Sequence, residues 1–208
     1  MILFSIINIV MISCGSGGAA SKDGQAAKAD GTVIDLVKVS KKIKDAVEFA
    51  ASVKEVETLV KSVDELVKAI GKKIKNDDEG FDTEANKNGS LLAGILQLMF
   101  AVGTKLEVLE KTAEISNELN GKVTASKSEN TALITRLKGG DDSLGKSYAS
   151  DTDTKNAIDK NDNTGGKGRK EIVKLNTAVD ALLKSAQDAV LAAVAKLTIS
   201  TKADPAKP

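Results

Sequence analysis

The stretch VKEVETLVKSVDELVKAIGKKI, residues 53–74, decides the fold class of this 208-residue chain. Its apolar residues recur in alternating steps of three and four, and the same seam extends upstream to Leu36. That spacing places apolar side chains on one face of an α-helix. The seam consists of Leu36, Val39, Ile43, Ala46, Ala50, Val53, Val56, Val60, Val63, Val67, Ile70 and Ile74. Residues 33–75 are therefore predicted to form one long amphipathic helix.

A second apolar row, Leu59 and Leu66, lies beside this seam and gives the helix two packing surfaces. A self-complementary apolar face suits a two-fold interface between identical chains. If a homodimer forms, Leu59 and Leu66 are the candidates to lie in or near its interface. The candidates for the seam that forms the core or the dimer contact are Val56, Leu59, Val63, Leu66 and Ile70.

A second long helix is predicted from a cap at Ser90 to the neighbourhood of Asn120–Gly121, after charged loops at 76–80 and 86–89. Its seam is Leu92, Ile95, Met99, Val102, Leu106, Leu109 and Ala113. The section LLAGILQLMFAV is apolar nearly all round, so we expect it in the middle of a bundle. Its 12 residues would cover only ~18 Å, which is too short for a bilayer.

The second half of the chain predicts a short helix, an exposed region and a final long helix. The short helix spans about Ser128 to Lys138. Residues 139–168 are rich in turn-forming side chains, with at most a short helix around Asp153 to Lys160, and are expected to carry little core. The seam of the final helix is Ile172, Leu175, Val179, Leu182, Ala186, Val190, Ala193 and Leu197. The predicted fold class is all-α, an elongated helical bundle.

Composition removes several classes of function. The chain has no His, no Trp and one Cys, so histidine-based triads and imidazole metal sites are excluded. Its 30 basic residues nearly cancel its 29 acidic ones, and both signs are mixed along the chain. Binding of nucleic acid through phosphate neutralisation is therefore not expected. Lysine-rich runs such as 41–44 and 72–75 could attract acidic glycans or anionic lipid, but a solvent-exposed helix face accounts for them better.

The N-terminus has the pattern of a secreted, membrane-anchored protein. Residues 2–12 are apolar but too short to cross a bilayer, and small residues follow them, which is typical of a signal peptide. The first basic residue is Lys22, so the positive segment that opens most signals would have to precede Met1. The predicted organisation is a signal peptide at 1–13, a flexible tether at 14–32, a helical bundle at 33–197 and a disordered tail at 198–208.

Cys14 is the candidate site of lipidation. Met11-Ile12-Ser13-Cys14 resembles a bacterial lipobox, in the loose form that spirochaetes accept. In a lipobox the cysteine thiol is diacylated and the signal peptide is cut before the cysteine, which becomes the first residue of the mature protein. Two or more acyl chains anchor a protein stably, whereas one holds only marginally. The alternative is that Cys14 is a structural cysteine in a buried element. We expect lipidation, and therefore a protein held at a membrane surface.

Two motifs suggest ligands but lack the surroundings that those ligands need. Residues 140–147, GDDSLGKS, satisfy the phosphate-loop pattern letter for letter. That loop requires a preceding strand and a following helix, whereas TALITRLK before it is helical in pattern. Residues 159–165 faintly suggest a calcium loop, but Lys170 stands where a bidentate Glu is needed. We interpret both as coincidences and expect no cofactor and no metal.

The segments 53–74 and NGSLLAGILQL (88–98), after a lipobox, resemble the variable small proteins of relapsing-fever Borrelia, which belong with the outer surface protein C family. The similarity covers the first helix, the start of the second helix and the C-terminal helix. It implies a dimeric, mostly helical outer-membrane lipoprotein with a membrane-distal cap of loops and short helices. It also implies antigenic switching that evades host antibody, without catalysis.

Three functions stay open on sequence alone. The first is a lipid-anchored surface antigen of the outer membrane, displaying a variable cap to host antibodies. The second is an adhesin that binds a host protein or glycan. The third is a nucleotide-hydrolysing enzyme built on residues 140–147, which the missing strand argues against. We favour the first.

Overall fold

The structure is a computed structural model that describes residues 25–27, 33–76, 79–112, 116–139 and 141–196. The chain divides into two compact units, residues 1–44 with 193–208, and residues 45–192. Within the described residues the α-helices are α1 Leu36–Leu66, α2 Gly89–Glu110, α3 Asn117–Gly139, α4 Asp151–Ile158 and α5 Arg169–Ala195. The strands are β1 Gln25–Ala27, β2 Val33–Asp35, β3 Lys72–Ile74 and β4 Phe81–Thr83. The strands are only three residues each, so the all-α prediction is confirmed.

In the first unit, β1 and β2 pair antiparallel, with Ala26 opposite Ile34. The strand β1 lies inside the segment 14–32 that was predicted as a tether. The carboxylate of Asp35 then accepts a 3.0 Å hydrogen bond from the backbone N–H of Lys38. An aspartate in this place satisfies one of the free N–H groups of a helix start. The helix α1 consequently begins at Leu36 and not at residue 33.

The prediction that α1 continues to residue 75 is wrong. The helix ends at Leu66, and a short 3₁₀ turn covers Val67–Ala69. The backbone of Ile70 is extended, with ψ 127°, and Gly71 has φ 69°, a left-handed conformation that suits glycine. The chain then enters β3, which pairs with β4. Ile74 was assigned to the helical seam, but it is 78% exposed on the hairpin.

The core of the second unit consists of the predicted seams. On α1, Val53, Val56, Val60 and Val63 are at most 1% exposed. The seam of α2 is buried from Leu92 through Leu109, as predicted. Ion pairs join α1 to its neighbours at the surface: Glu55 to Lys105 at 2.6 Å, Lys61 to Asp180 at 3.0 Å and Asp64 to Lys160 at 2.6 Å. Such exposed pairs contribute little stability, so apolar burial holds these helices together.

The helix α2 does not lie in the middle of the bundle with all its faces covered. Phe100 is 40% exposed and Val108 is 65% exposed on its outer side. Its 22 residues make it, among the described residues, the helix that is long and apolar enough to cross a membrane by length and composition. The 12-residue length argument against a membrane segment therefore does not apply to the whole helix. A core helix with one buried face passes the same test.

The boundary predicted near Asn120–Gly121 is also wrong. The helix α2 ends at Glu110, and α3 runs from Asn117 through Gly121 to Gly139. Its buried residues are spaced by four and three: Leu119, Val123, Ser126, Asn130, Leu133 and Leu137. Because Ser126 and Asn130 in this seam are polar, apolar periodicity alone does not predict it. Packing of the stripe overrides the weak helix propensity of Gly121.

The expectation of little core in residues 139–168 is not met either. Leu144, Ala149, Ala157 and Ile158 are all less than 5% exposed. The short helix α4 begins at Asp151, two residues before the predicted start, because Ser150 Oγ accepts a 3.0 Å hydrogen bond from the Asp153 backbone N–H. The predicted seam of α5 is buried from Ile172 to Val190. Leu197 and the predicted tail lie outside the described residues.

Candidate functional site

Four segments of the second unit are joined by polar contacts, and we call them the cap; three of them meet at Asn88, beside the N-terminus of α2. They are the described residues of the hairpin region 71–88, the loop 141–149, the helix α4 and the loop 159–168. The buried side chain of Asn88 joins three of them. Its Oδ1 accepts a hydrogen bond from Gly71 N–H at 2.9 Å, while its Nδ2 donates to Ala149 O at 3.0 Å and to Asp151 Oδ1 at 2.8 Å. Asn88 therefore fixes the hairpin, the loop and α4 to one point.

Asp151 reinforces this junction from the first turn of α4. Its Oδ1 also accepts a 2.8 Å hydrogen bond from the backbone N–H of Asn86, and Asn86 Oδ1 accepts a 3.0 Å bond from Asp151 N–H. Donation from the Asn88 amide, and then from Asn86 N–H, lowers the pKa of Asp151. Gly71 approaches so closely that a Cβ there would lie 2.7 Å from Asp151 Oδ2. The geometry requires glycine at 71.

Lys167 forms a second junction. Its Nζ lies 2.7 Å from Asp141 Oδ2, 2.7 Å from Asp153 Oδ1 and 2.8 Å from Ser143 Oγ. The hydrogen bond from Lys167 is the main reason that the pKa of both carboxyls is lowered, and Asp141 in turn raises the pKa of Lys167. This ammonium group therefore links the loop 141–149, α4 and the loop 159–168.

Large apolar side chains project from the cap. Ile74 and Phe81 face each other across the hairpin and are 78% and 64% exposed. The ammonium group of Lys72 lies 5.7 Å from the centre of the Phe81 ring, a cation–π contact. Tyr148, in the loop 141–149, is 74% exposed. The cap thus combines a buried junction at Asn88 and a half-buried one at Lys167 with an exposed surface of aromatic and aliphatic groups.

The phosphate-loop motif has a different role in this structure. The residues before it belong to the helix α3 and not to a strand. The loop directs carbonyl groups at the N-terminus of α2: Ala149 O accepts from Asn88 N–H at 3.2 Å, and Ser147 O from Gly89 N–H at 3.4 Å. A phosphate loop presents N–H groups to its ligand. The chain here satisfies a helix end with its own backbone, and the interpretation of the motif as a coincidence is supported.

The calcium-like segment forms ordinary turns. Asp159 Oδ1 accepts from Asn161 N–H at 2.9 Å, and Asp162 Oδ1 accepts from Thr164 N–H at 3.0 Å. These are the local side-chain bonds by which aspartates stabilise turns. Among the described residues, no group of three or more acidic or cysteine side chains is placed to hold a metal ion.

The five seam residues of α1 separate into two sets. Val56 and Val63 are 0% exposed, so the chain's own core covers them. Leu59, Leu66 and Ile70 are half-buried and keep part of their surface accessible. Cys14, with the predicted signal peptide, lies outside the described residues.

The junction residues Asn88, Asp151 and Lys167 were not predicted as a site. Asn88 stands in a sequence that reads as a turn, and the helix start was placed at Ser90. Asp151 bonds to a partner 63 residues away, which no local spacing encodes. The run of turn-forming residues in 139–168 indicated where exposed surface lies, but not which side-chain contacts hold that region in place.

Comparison with known proteins agrees with this architecture. Residues 33–203 match the Lipoprotein_6 family, described as Lipoprotein. Variable small protein 11 of Borrelia hermsii is 44% identical over 196 residues, which is 93% of each chain. Outer surface protein C of Borreliella burgdorferi is 39% identical over 203 residues, covering 96% of this chain and 93% of that protein. The chain belongs to this lipoprotein family.

A solved structure of the same lipoprotein family has the same fold. Variable Small Protein 1 of Borrelia turicatae is 50% identical and superposes with a TM-score of 0.74, over 79% of this chain and 99% of that one. The resemblance inferred from residues 53–74 and 88–98 is thereby confirmed. Family membership makes this protein a surface-exposed lipoprotein of the outer membrane.

Proposed function

We propose that the protein is a lipid-anchored surface antigen whose cap differs between variants, so that host antibody against one variant fails against another, and that it catalyses no reaction. The observation that carries this proposal is the 44% identity to a variable small protein over 93% of the chain. The function is then the display of a surface, because changing the exposed side chains changes what an antibody binds.

The cap is suited to sequence change. Its main junction uses backbone atoms of Gly71 and Ala149, which most substitutions elsewhere in the cap would leave in place. The side chains of Ile74, Phe81 and Tyr148 are mostly exposed, and exposed substitutions usually alter stability by less than ~0.5 kcal/mol. Surface can therefore be replaced here while the helical seams keep the fold.

Cys14 would hold the protein at the membrane through acyl chains, after removal of residues 1–13. The part of the segment 14–32 that precedes β1 would separate the paired strands and the helical bundle from the bilayer. The support is the Met11-Ile12-Ser13-Cys14 motif together with membership of a lipoprotein family. The acyl chains would come from the bacterial lipidation pathway, so this chain supplies only the thiol and the recognition sequence.

The protein would also form a homodimer through α1. Leu59, Leu66 and Ile70 keep accessible apolar surface beside a seam that the chain's own core has already covered. Replacing Leu59 and Leu66 by Glu should yield a monomer in analytical ultracentrifugation, whereas Val108→Glu, an exposed apolar position on α2, should leave the dimer intact. Equal sedimentation of all three proteins as dimers would refute this interface.

An adhesin is the second candidate, and one feature favours it. An open groove of about 560 Å³ lies along α3, lined by Ser128, Thr131 and Thr135 and bordered by Arg136 and Glu171. Hydroxyl and guanidinium groups suit a polar host ligand. A saturable host ligand that the purified protein binds with sub-micromolar affinity, and that Arg136→Ala loses, would favour this function.

Antibody recognition tests the primary proposal. One variant carries Ile74→Ser, Phe81→Ser and Tyr148→Ser in the cap, and a matched variant carries Val108→Ser, Val173→Ser and Leu191→Ser on α2 and α5. All six side chains are exposed apolar groups. Antibody that kills bacteria expressing the wild-type protein should lose most of its binding to the cap variant and little to the matched one. Equal binding to both variants would contradict the proposal.

Lipidation has a separate test. Bacteria expressing the full chain should incorporate labelled palmitate into the protein, and Cys14→Ala should abolish incorporation. Protease added to intact cells should degrade the wild-type protein, because it is exposed at the surface. Labelling that persists in Cys14→Ala would show that the anchor lies elsewhere, and Lys146→Ala serves as an unrelated variant that should label normally.

A further inference from the structure

The loop 141–149, which we call the strap, lies directly over the N-terminus of α2. The backbone oxygens of Ala149 and Ser147 accept hydrogen bonds from the N–H groups of Asn88 and Gly89. The approach is close, because a Cβ on Gly89 would lie 2.6 Å from Lys146 O. The strap thus occupies a position where free N–H groups of the helix would otherwise meet water.

The two ends of the strap are held by different forces. At the α2 end the bonds are neutral: the backbone N–H groups of Asn88 and Gly89 donate at 3.2 and 3.4 Å, and the buried Asn88 Nδ2 donates to Ala149 O at 3.0 Å. At the other end the bonds are charge-assisted, because Lys167 Nζ contacts Asp141 at 2.7 Å and Ser143 at 2.8 Å. Bonds to an ionised group are about twice as strong as neutral ones. Lys167 is therefore the charged, partly exposed attachment of the strap, and Asn88 is the buried neutral one.

Few side chains of the strap itself are buried. Leu144 is 4% exposed and Ala149 is 1% exposed, whereas α1, α2, α3 and α5 each bury a whole seam. Lys167 also bonds to Asp153 at 2.7 Å, so its three N–H donors are divided between the strap and the first turn of α4. Elements with little buried apolar area and polar attachments open more readily than a helical core.

We propose that the strap is an element that opens separately from the helical bundle, and that Lys167 holds it closed. Opening releases Ser147 and Ala149 from the α2 N-terminus and uncovers Leu144, so one sequence presents two alternative surfaces at this end. The seams of α3 and α5 stay packed in both states. This goes beyond the proposed antigenic role, since it concerns two states of a single variant and does not depend on variation between proteins.

Hydrogen–deuterium exchange of the full chain, followed by mass spectrometry, tests the proposal. In Lys167→Gln the amides of residues 88–92 and 141–153 should exchange about tenfold faster than in the wild type, the change expected when a partly exposed charge-assisted contact is lost. Amides in the middle of α3 and α5 should exchange at the wild-type rate. Lys184→Gln is the matched control, because Lys184 pairs with Asp188 on the surface of α5 at 3.0 Å.

A conservative variant separates a role of the charge from a role of the residue. Lys167→Arg keeps the cation and should restore most of the protection lost in Lys167→Gln. Unchanged exchange at 141–153 in Lys167→Gln would overturn the proposal. An equal acceleration across all helices would also overturn it, because Lys167 would then stabilise the whole unit and the strap would not open by itself.

Discussion

The side-chain nitrogen Nδ2 of Asn130 on α3 donates a 3.0 Å hydrogen bond to the carbonyl oxygen of Met99 on α2. Asn130 is 1% exposed, and its Oδ1 has no hydrogen-bond partner among the described residues. Gly103 lies beside it, and a Cβ there would be 3.1 Å from Nδ2. A buried Asn bonded across two helices sets their register at some cost in stability. Gly103 leaves the room that this contact needs.

Replacing Asn130 by Asp should destabilise the protein by roughly 3 kcal/mol at neutral pH, because it buries a charge that faces the Met99 carbonyl oxygen. Urea unfolding at pH 7 and pH 4 measures the effect. The loss should shrink at the lower pH, since burial raises the pKa of the introduced carboxyl and protonation removes its charge. Asn130→Leu is the control and should stay within about 1.5 kcal/mol of wild type, because it also removes the unpaired Oδ1.

Replacing Asn88 by Ala should cost about 2–3 kcal/mol, since it leaves Gly71 N–H without its buried acceptor and removes both donors to Ala149 and Asp151. Thermal unfolding by circular dichroism measures the loss. Asn120→Ala, an exposed change within α3, should shift stability by no more than ~0.5 kcal/mol. A Tm unchanged in both variants would mean that the Asn88 junction does not hold the cap.

Two glycine substitutions should change the stability of the protein in opposite directions. Gly71→Ala should destabilise by about 2 kcal/mol, because φ at Gly71 is 69° and the added Cβ would meet the Asp151 carboxylate. Gly94→Ala should stabilise by about 0.5–1 kcal/mol, because Gly94 lies within α2 with nothing within 4 Å of its Cβ position. Differential scanning calorimetry of the two variants decides the matter, and a stabilised Gly71→Ala would contradict the described turn.

Stability should fall in acid through the aspartates of the cap. The pKa of Asp141 is lowered in the folded protein, chiefly by Lys167 and then by Ser143. A lowered pKa contributes stability that is fully present above the unfolded value, about 3.9, and is lost as the pH falls through the folded value. The wild-type protein should therefore exceed Asp141→Asn in stability at pH 6, and the difference should shrink steadily as the pH falls below about 4.

Urea midpoints at pH 6, 4 and 2.5 provide the comparison. Asp142→Asn is the matched control, because Asp142 is an exposed neighbour in the same loop. At pH 6 it should change the urea midpoint by much less than Asp141→Asn does. A gap between wild type and Asp141→Asn that stays constant with pH would mean that the bond to Lys167 contributes no net stability.

The difference between correct and incorrect predictions lies in how far apart the interacting residues are along the chain. The buried seam of Val53, Val56, Val60 and Val63 could be predicted from the sequence, because residues three and four apart share a helix face. The seam of α3 was missed in its first half, because Ser126 and Asn130 are polar and only a partner such as Met99 O makes a buried amide tolerable. Family membership was readable from the quoted segments.

The sequence by itself determined the all-α class, the long amphipathic helices and the lack of histidine chemistry, because each depends on composition or on short-range periodicity. It also indicated the lipoprotein family, through the likeness of residues 53–74 and 88–98 to known proteins. Only the tertiary structure decided that the first helix stops at Leu66 and that residues 139–168 carry core. It also showed that Asn88, Asp151 and Lys167 fasten the cap. These outcomes depend on contacts such as Asn88 to Asp151, between residues 63 positions apart, and a contact of that range leaves no period in the sequence.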